Sequence, residues 1–402
     1  MVYLHTSALI GRMTIFGRSS DSPPPLFRDS MPPTLAALLC ALSREPPPND
    51  WTIDWPLFLR LAQHHRVLMR LSDSYLPDTI RVALAGLYRP RRIRALLHAA
   101  TLRDIGVAFA KRGLPWIALK GAALSAQLLA DPFQREARDI DLLAPDSHWS
   151  EAIEVLFELG YQIASTESTT EVDHELLLRD CKRNTLIELH RRLGKASGHL
   201  PLDRLRPWDD IVSVGVGPAR VPTLALPKAV VYAAYHGCTH LWTRFSWLLD
   251  IRDATVHPDL DWREVMALAQ TVGCTRHVAL AATLAHRLLA APMPSALTGD
   301  RSLMAWASNS ADRLTRLFHA SPMRDRDAIY AMGLGAYIRW DLDFCTSWRA
   351  RTDALRHHLR PTPEDRKLLA LPQPLAPLYY GLRVARIAAR VVRGSPAPPP
   401  NS

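Results

Sequence analysis

The chain has 402 residues, of which 48% are apolar and 22% are charged, and this composition is ordinary for a soluble globular protein with a large core. The formal charge of +10 favours phosphate-rich partners such as nucleotides, nucleic acid or anionic lipid, without selecting among them. The five cysteines are scattered and odd in number, which argues against a disulfide framework and indicates reduced thiols in a cytoplasmic protein. No apolar run reaches the roughly 18 residues that a membrane-spanning helix requires.

The two ends of the chain are predicted to be disordered, because residues 1–33 and 394–402 are rich in proline and lack apolar periodicity. Apolar residues at helical spacing then predict an N-terminal helical region over 34–112. The predicted helices of this region are 34–44, 54–73 and a stretch around 90–112. The folded part of the chain is therefore expected to begin with helices.

The pattern changes at Gly113, where short apolar segments bounded by glycine or polar turns replace the helical periodicity. The predicted elements of this core, 113–195, are strands 115–119, 139–144, 174–180 and 184–190, and helices 122–130 and 148–160. Helices return in a domain over 196–300 and continue in a basic C-terminal region over 301–393. The expected fold class is α+β, with a compact mixed-sheet core embedded in a mostly α-helical chain.

Two aspartates interrupt the second predicted strand, "DIDLLA". Asp139 and Asp141 share one face of that strand, because side chains alternate between the two faces. The same alternation puts Glu188 and His190 on one face of the last predicted strand. If the two strands are neighbours, Glu188 completes a cluster of three carboxylates, which repel one another unless a cation neutralises them. Oxygen ligands suit Mg²⁺ or Mn²⁺, and such ions usually act on a substrate phosphate.

The Asp-x-Asp pattern is weak by itself, because the chain contains it three times. Asp259 and Asp261 stand where a helix begins, with Asp261 as the expected N-cap. Asp341 and Asp343 lie in a helical region, where they are expected to face solvent or to pair with arginines. Only the first copy follows a glycine-ended strand and precedes a strand-borne glutamate, which favours a metal site there.

The segments "LKGAAL", "DIDLLA", "ELGY" and "IELHRRL", in this order, resemble the family of uncharacterised bacterial nucleotidyltransferases, which belongs to the DNA polymerase beta-like superfamily. The matching positions are Leu119–Gly121, Asp131–Pro132, Arg135, Asp139–Leu143, Leu159–Tyr161 and Glu188–His190. A second match lies in "HGCTHLWTRFSWLLDI", at His236, His240, Arg244, Trp247 and Asp250. The resemblance spans about residues 35–270, and the combined motif is fairly specific although no single piece of it is.

The resemblance implies a nucleotidyltransferase core that transfers a nucleoside monophosphate from an NTP to an acceptor. It implies that Asp139 and Asp141 bind the metal ions and that Glu188 is the third carboxylate. Two metal ions held by shared carboxylates can activate the acceptor oxygen and stabilise the leaving pyrophosphate. The expected cofactor is therefore Mg²⁺ or Mn²⁺, with the NTP as co-substrate.

The turn after the first strand departs from the wider superfamily. The resemblance implies that Gly121, with its bare backbone, lets the triphosphate approach. The superfamily has a Gly-Ser pair at this turn, and the serine hydroxyl holds a phosphate, whereas Ala122 follows Gly121 here. Lys120 is a candidate to supply the missing phosphate contact, although its side chain could also point elsewhere.

Arg135 and Arg138 directly precede the strand that carries the aspartates. They could balance charge that develops on the phosphoryl oxygens, which makes them candidate nucleotide-binding residues. The alternative is a surface ion pair of either arginine with Glu136 or Asp131.

Three histidines and one further arginine are candidates for the substrate cleft. His236 and His240 share a helix face, because they are four residues apart. Zinc binding is disfavoured, because "HGCTH" lacks the glutamate of a metallopeptidase motif. The resemblance implies that both histidines help to shape the cleft. Arg244 belongs to the same match. His190 shares its strand face with Glu188 and is expected to orient it or to contact substrate.

The C-terminal region ends in a predicted basic helix near 379–393. Its four arginines lie close to one face and are Arg383, Arg386, Arg390 and Arg393. Docking against the protein is favoured, with Tyr379, Tyr380 and Leu382 as the anchor. Contact with an anionic membrane surface or with nucleic acid is the alternative.

The sequence thus predicts a metal-dependent nucleotidyltransferase that moves a nucleoside monophosphate to a hydroxyl-bearing acceptor and releases pyrophosphate. The alternative is a non-catalytic nucleotide-binding or regulatory module with the same fold, and a metal-dependent phosphohydrolase is third. The acceptor stays open among a small molecule, a peptide, a protein and a sugar, and nucleic acid is possible but not favoured.

Overall fold

The structure, a computed structural model, describes residues 31–72, 74–164, 175–194, 200–320, 323 and 333–393. Its α-helices are α1 (Pro33–Ser43), α2 (Trp55–His64), α3 (Asp78–Lys111), α4 (Gly121–Leu129), α5 (Trp149–Glu158), α6 (Leu226–Thr239), α7 (Phe245–Thr255), α8 (Trp262–Thr271), α9 (Thr275–Leu289), α10 (Ser295–Thr298), α11 (Arg301–Ala320), α12 (Leu334–Asp343), α13 (Trp348–Leu359), α14 (Pro363–Leu368) and α15 (Leu378–Arg393). Its strands are β1 (Ile117–Ala118), β2 (Ile140–Leu143), β3 (Tyr161–Ile163), β4 (Glu175–Asp180), β5 (Thr185–His190), β6 (Val212–Val216) and β7 (Ala219–Thr223).

The ends that were predicted to be disordered lie outside the described residues, apart from the last three residues of 1–33. Met31 is buried in the core, and Pro33 is the first residue of α1. Proline suits a first helical position, because its missing N–H would have no partner there. The first described helix therefore begins one residue earlier than the sequence predicted.

The strands form one mixed sheet in the order β3-β4-β5-β2-β1-β7-β6. β2 pairs in parallel with β5, and β1 pairs in parallel with β7, while the other neighbours are antiparallel. Helices account for most of the remaining described chain. The predicted α+β class with a mixed sheet is confirmed.

The β6–β7 hairpin corrects the expectation that residues 196–300 are helical. These strands extend the sheet, because β7 pairs with β1 at Ala118 and Thr223. The alternation of buried and exposed residues along β7 is the period of a strand with one covered face. The turn contains Gly217, whose φ of +58° favours glycine, so the local signal of a hairpin was present but was missed.

The predicted helix 54–73 also differs in the structure. α2 begins with an N-cap, in which the Asp54 carboxylate accepts a hydrogen bond from the Leu57 N–H at 2.9 Å. It ends at His64, because Arg66 adopts a left-handed conformation with φ of +57°. A short 3₁₀ helix follows at Leu68–Arg70. Because α2 ends early, Arg66 lies outside the helix, and its side chain lines a cavity beside the sheet.

The other two Asp-x-Asp copies make structural contacts, although Asp341 contacts a histidine rather than the predicted solvent or arginine. Asp261 is the N-cap of α8 and accepts a hydrogen bond from the Arg263 N–H at 2.8 Å. Asp343 forms an ion pair with Arg313 at 2.8 Å, and Asp341 lies 2.9 Å from the His358 ring.

The sheet is covered by apolar layers on both faces. Ile140 and Leu142 of β2 belong to a core cluster that includes residues of α3 and α5. Leu143, on the other face, belongs to the larger cluster formed with the helices that follow β7. Asp141 shares the face of Leu143, so its carboxylate is directed to the junction of the sheet and the helical body.

Helix α15 docks against the other C-terminal helices α12, α13 and α14. Tyr379 is buried, and its hydroxyl donates a hydrogen bond to the Leu369 carbonyl at 2.9 Å. Tyr380, which was also expected to anchor the helix, is 53% exposed. Consecutive helical residues point about 100° apart, so the two tyrosines cannot both face the same surface.

Two arginines of α15 also take part in this docking, which was predicted to depend on Tyr379, Tyr380 and Leu382. Arg383 is buried and donates through Nε to the His358 carbonyl at 3.1 Å. Arg386 forms an ion pair with Asp365, whose side chain is fully buried. These two basic side chains therefore help to dock the helix. No helix among the described residues is long and apolar enough to cross a membrane.

The adjacent tyrosines provide a matched test of this docking. We expect Tyr379→Ala to lower the free energy of unfolding by about 3 kcal/mol, because it removes a buried ring. Tyr380→Ala, on the exposed side, should change it by no more than about 0.5 kcal/mol. Thermal or denaturant unfolding of the two variants measures both changes, and equal effects would contradict the docked orientation.

Candidate active site

Three carboxylates meet where β2 and β5 lie side by side. Asp141 and Glu188 are direct partners in the register of these parallel strands. Asp139 lies one residue before β2, two positions from Asp141, and therefore on the same face by strand alternation. The neighbouring position of the two strands, on which the predicted cluster depended, is confirmed.

Lys120 is the closest cation to this cluster among the described ion pairs. Its Nζ lies 2.8 Å from Asp141 Oδ1, and the two side chains are only 7% and 5% exposed. The same ammonium lies 3.3 and 3.4 Å from the ring nitrogens of His236. Lys120 thus neutralises Asp141 in this structure, which is the alternative to the phosphate contact considered from the sequence.

His190 lies among three acidic side chains. Its Nε2 is 3.4 Å from Asp141 Oδ1 and 3.8 Å from Glu188 Oε2. Its Nδ1 is 3.6 Å from Glu175 Oε2 on the neighbouring strand β4. The ring therefore separates Glu175 from the other two acids and lies nearer to Asp141 than to Glu188.

The charges of the cluster are unevenly compensated. Burial raises the pKa of the Asp141 carboxyl, but Lys120 and His190 outweigh burial and hold that pKa well below its usual range. Burial and the charge of Asp141 raise the pKa of Asp139. Burial and the charges of Asp141 and Asp139 raise the pKa of Glu188 well above its usual value. The protein's own side chains thus leave Asp139 and Glu188 incompletely compensated, and a bound cation would favour their ionised forms.

The donor atoms fit a divalent cation. Asp141, Glu188 and His190 each offer one ligand atom, and these atoms all lie within 4.8 Å of one another. Within the described ranges they form the one cluster of this kind. With the neighbouring Asp139 the set is rich in carboxylate oxygen, which suits Mg²⁺ or Mn²⁺ better than zinc.

The cluster opens into a cavity of about 300 Å³ between the sheet and the helical body. The lining residues from the sheet side and its loop are Lys120, Arg135, Glu136, Ala137, Arg138, Asp139, Asp141, Glu175, Glu188, His190 and Leu193. Those from the helical side are Arg66, Tyr232, Tyr235, His236, Thr239, His240, Ser246 and Trp247. One wall is therefore charged and the opposite wall is largely aromatic.

Arg135 is held by an ion pair, but with a different partner from either acid considered from the sequence. Its Nε lies 2.9 Å from both carboxylate oxygens of Asp250 on α7, and both side chains are less than one tenth exposed. Glu136 instead pairs with Arg91 at 2.9 Å, and Asp131 accepts a hydrogen bond from the backbone of its own loop. Arg135 thus ties the loop before β2 to the helical body.

Arg66 and Arg138 are the two guanidiniums of the cavity that make no ion pair with any residue in the described part of the chain. Arg138 is exposed at the rim, and Arg66 is half-buried. Burial lowers the pKa of Arg66, Asp139 raises it, and Arg135 and Arg138 lower it again. Three guanidiniums therefore act on one region beside Asp139, which is favourable for an anionic ligand.

The two histidines of α6 line the cavity and pack with an aromatic residue. The rings of His236 and His240 are 4.3 Å apart, and Trp247 lies 5.1 and 5.4 Å from them. Burial and the charge of Lys120 hold the pKa of His236 well below its usual value, so its ring is neutral and can accept a hydrogen bond from Lys120. Neither belongs to a metal-ligand cluster of the described residues.

Two of the candidate residues do not line the cavity. Arg244 lies beside it, with its guanidinium 2.7 Å from His64 Nε2 on α2. Gly121 has a φ of +64°, so the turn into α4 favours glycine for its backbone conformation. Lys120, rather than Gly121, faces the cavity.

Sequence reasoning missed Arg66, Tyr232 and Glu175. Arg66 follows α2, which lies more than fifty positions from the aspartates, and nothing local marks it. Tyr232 is a buried residue of α6, one turn before His236, and this helical spacing could have identified it. Glu175 is the register partner of His190 on β4, so strand pairing could have identified it.

A family model described as "Uncharacterised nucleotidyltransferase" matches residues 52–290. Among curated proteins, none matches the chain. One solved structure that does match is described as "Solution Structure of Antibiotic-Resistance Factor ANT(2'')-Ia Reveals Substrate-Regulated Conformation Dynamics". It has 14% identity, covers 56% of this chain and 97% of its own, and has a TM-score of 0.27, a likeness too distant to indicate a substrate.

The Arg135–Asp250 pair can be tested by a double-mutant cycle. We expect Arg135→Met to lower the free energy of unfolding by about 3 kcal/mol or more, because it leaves Asp250 buried and unpaired. The double variant Arg135→Met/Asp250→Leu should recover most of that loss, because no buried charge remains. If Arg135→Met unfolds like the wild type, the ion pair does not hold the loop.

Proposed function

Since the chain belongs to the family of uncharacterised nucleotidyltransferases, it is a transferase of nucleotidyl groups, and we propose that it moves a nucleoside monophosphate from an NTP to a hydroxyl-bearing acceptor with the help of a divalent cation. Pyrophosphate is the leaving group of this reaction. The single observation that carries the proposal is the placement of Asp139, Asp141 and Glu188 on one face of two adjacent strands. Three acids placed this close together, one of them buried, are costly to fold and have a clear use in phosphoryl chemistry.

The carboxylates are the proposed cation ligands. Asp139, Asp141 and Glu188 would hold Mg²⁺ or Mn²⁺, and His190 would position Asp141 through the contact of its ring with the carboxylate. A divalent cation bound there neutralises triphosphate charge and increases the acidity of a nearby hydroxyl. Lys120, which balances Asp141 in this structure, lines the same cavity and would contribute positive charge near the phosphates.

Arg66 and Arg138 are the proposed triphosphate contacts. Both line the cavity, and neither guanidinium forms an ion pair with a described residue. Guanidinium groups bind phosphate through two parallel hydrogen bonds, which gives both affinity and orientation. Arg135 is held by Asp250, so its proposed role is to fix the loop and to contribute positive charge.

The helical wall is the proposed place for the base or the acceptor. Tyr235 and Trp247 offer ring faces, and His240 and Thr239 offer polar groups, all at the cavity. Aromatic side chains stack on planar groups without strong selection among them. The acceptor hydroxyl can therefore belong to a small molecule, a peptide, a protein or a sugar.

The expected cytoplasmic location rests on five cysteines that form no disulfide.

One observation favours the alternative, a nucleotide-binding module without turnover. Lys120 Nζ is 2.8 Å from an oxygen of Asp141 that a cation would need, and the pair is buried. A lysine in that position could replace the cation and leave only binding. Labelled NTPs incubated with Mg²⁺ and cell extract separate the two: transferred label supports the enzyme, and NTP binding without any transfer supports the module.

We expect Asp141→Asn and Glu188→Gln to reduce Mg²⁺-dependent transfer by about 100-fold or more, because each removes a cation ligand. Circular dichroism should show the same fold for Glu188→Gln, since this substitution relieves repulsion among the acids and leaves the buried Lys120–Asp141 pair intact. Asp261→Asn is the matched control, because Asp261 belongs to another Asp-x-Asp copy and only caps α8. EDTA should abolish transfer by the wild type, and transfer that survives EDTA would exclude the proposed cation.

We expect the double variant Arg66→Gln/Arg138→Gln to raise the KM for NTP about tenfold or more, because each lost charged hydrogen bond is worth about 1.5 kcal/mol or more. The melting temperature should be unchanged, since neither guanidinium makes a described ion pair. Arg60→Gln, an exposed arginine of α2 outside the cavity, is the control. An unchanged KM in the double variant would assign the triphosphate to another part of the site.

A further inference from the structure

A second and larger cavity, of about 620 Å³, lies on the other side of the loop that precedes β2. It is lined by residues from the end of α1, the connection from α2 to α3, α3 itself, the start of the loop and α7. Its lining includes four arginines and two aromatic residues, namely Arg44, Arg70, Arg92, Arg252, Tyr75 and Phe133. It shares no lining residue with the catalytic cavity.

Two of the four guanidiniums share one carboxylate. Arg70 NH1 and NH2 lie 2.8 and 3.0 Å from the two oxygens of Asp253. Arg252 Nε and NH2 lie 3.1 and 2.8 Å from Asp253 Oδ1. The Asp253 side chain is 6% exposed, so this group is largely shielded from water. Arg70 and Arg252 therefore share one carboxylate, so one of their two positive charges is not neutralised.

The other two guanidiniums add to this excess. Arg44 and Arg92 are exposed at the cavity, and neither forms an ion pair with a residue in the described ranges. The carboxylate in the lining is Asp131, whose oxygens accept hydrogen bonds from the Phe133 N–H at 2.9 Å and from the Gln134 amide at 3.2 Å. Among the described residues, four guanidiniums against two carboxylates leave about two positive charges around this cavity.

The titration of Arg252 agrees with this excess. Burial lowers the pKa of its guanidinium, Asp253 raises it, and Arg70 and Arg44 lower it again. An anion in the cavity would relieve the repulsion among these cations.

We propose that this cavity binds a small molecule with a dianionic phosphate monoester and a planar or apolar group. The phosphate matches the two excess positive charges, and Arg44 and Arg92 can each offer it two parallel N–H donors. Tyr75 and Phe133 offer apolar ring surface for the rest of the molecule. The volume is within the range of small-molecule sites.

The position of the cavity connects this ligand to the catalytic loop. Phe133 and Gln134 line the second cavity, and the next five residues, 135–139, line the catalytic cavity. In addition, the Met69 N–H, in the wall of the second cavity, donates to Glu136 Oε1 at 3.2 Å. A ligand here contacts the same short segment that carries Asp139. The site is distinct from the proposed reaction and does not require it.

The test uses AMP as the probe, titrated calorimetrically into the full chain in EDTA, with adenosine and inorganic phosphate as separate arms. We expect AMP to bind, adenosine to bind at least about tenfold more weakly, and Arg44→Gln/Arg92→Gln to weaken AMP binding at least about tenfold. The charge-matched control Arg60→Gln/Arg94→Gln, both exposed and outside the cavity, should bind AMP like the wild type.

The variant Arg66→Gln/Arg138→Gln tests whether AMP binds in the catalytic cavity instead. This variant should bind AMP in EDTA as tightly as the wild type does. Hydrogen exchange should slow in peptides that cover residues 131–135 when AMP is present. The proposal is overturned if AMP does not bind, if binding depends on Arg66 and Arg138 but not on Arg44 and Arg92, or if the control pair loses it equally. Phosphate that binds as tightly as AMP would overturn the role of the aromatic residues.

Discussion

The repulsion among three clustered carboxylates, of which Asp141 is buried and Asp139 and Glu188 are half-buried, is the constraint on which the site depends. Asp141 and Glu188 must be adjacent, because their strands are paired in register, and Asp139 is added by the two-residue period of the same strand. The protein compensates mainly Asp141, through Lys120 at the N-cap of α4 and His190 on β5. The remaining charge is directed to a cavity at the edge of the core, where a ligand can balance it.

The loop between α4 and β2 receives its shape from several other parts of the chain. Arg135 is bound to Asp250 of α7, and Glu136 is bound both to Arg91 of α3 and to the Met69 N–H. These partners come from segments far apart in sequence, so the loop is ordered only when the helical body is in place. Rigid support of this kind is what a site needs to hold reacting groups within small tolerances.

The acidic cluster could be predicted from the sequence, because strand alternation fixes which residues share a face and the family motif indicates which strands matter. The α+β class followed from the same change of periodicity. Arg66 could not be predicted, because its place in the cavity depends on its own left-handed backbone conformation and on the packing of α2 against the sheet. The inward direction of Arg383 likewise depends on distant acceptors, which a helical pattern does not reveal.

The two-residue strand β1 has a consequence for how this chain can be made and divided. It is a central strand that hydrogen-bonds to β2 on one side and to β7 on the other. A ribosome must therefore have released residue 223 before the sheet can be completed, although all three acids have emerged much earlier. A minimal catalytic fragment that stops before the β6–β7 hairpin would expose an unpaired strand edge, which is a site for aggregation. The shortest fragment that keeps the sheet whole must extend past Thr223, well beyond the last of the three acids.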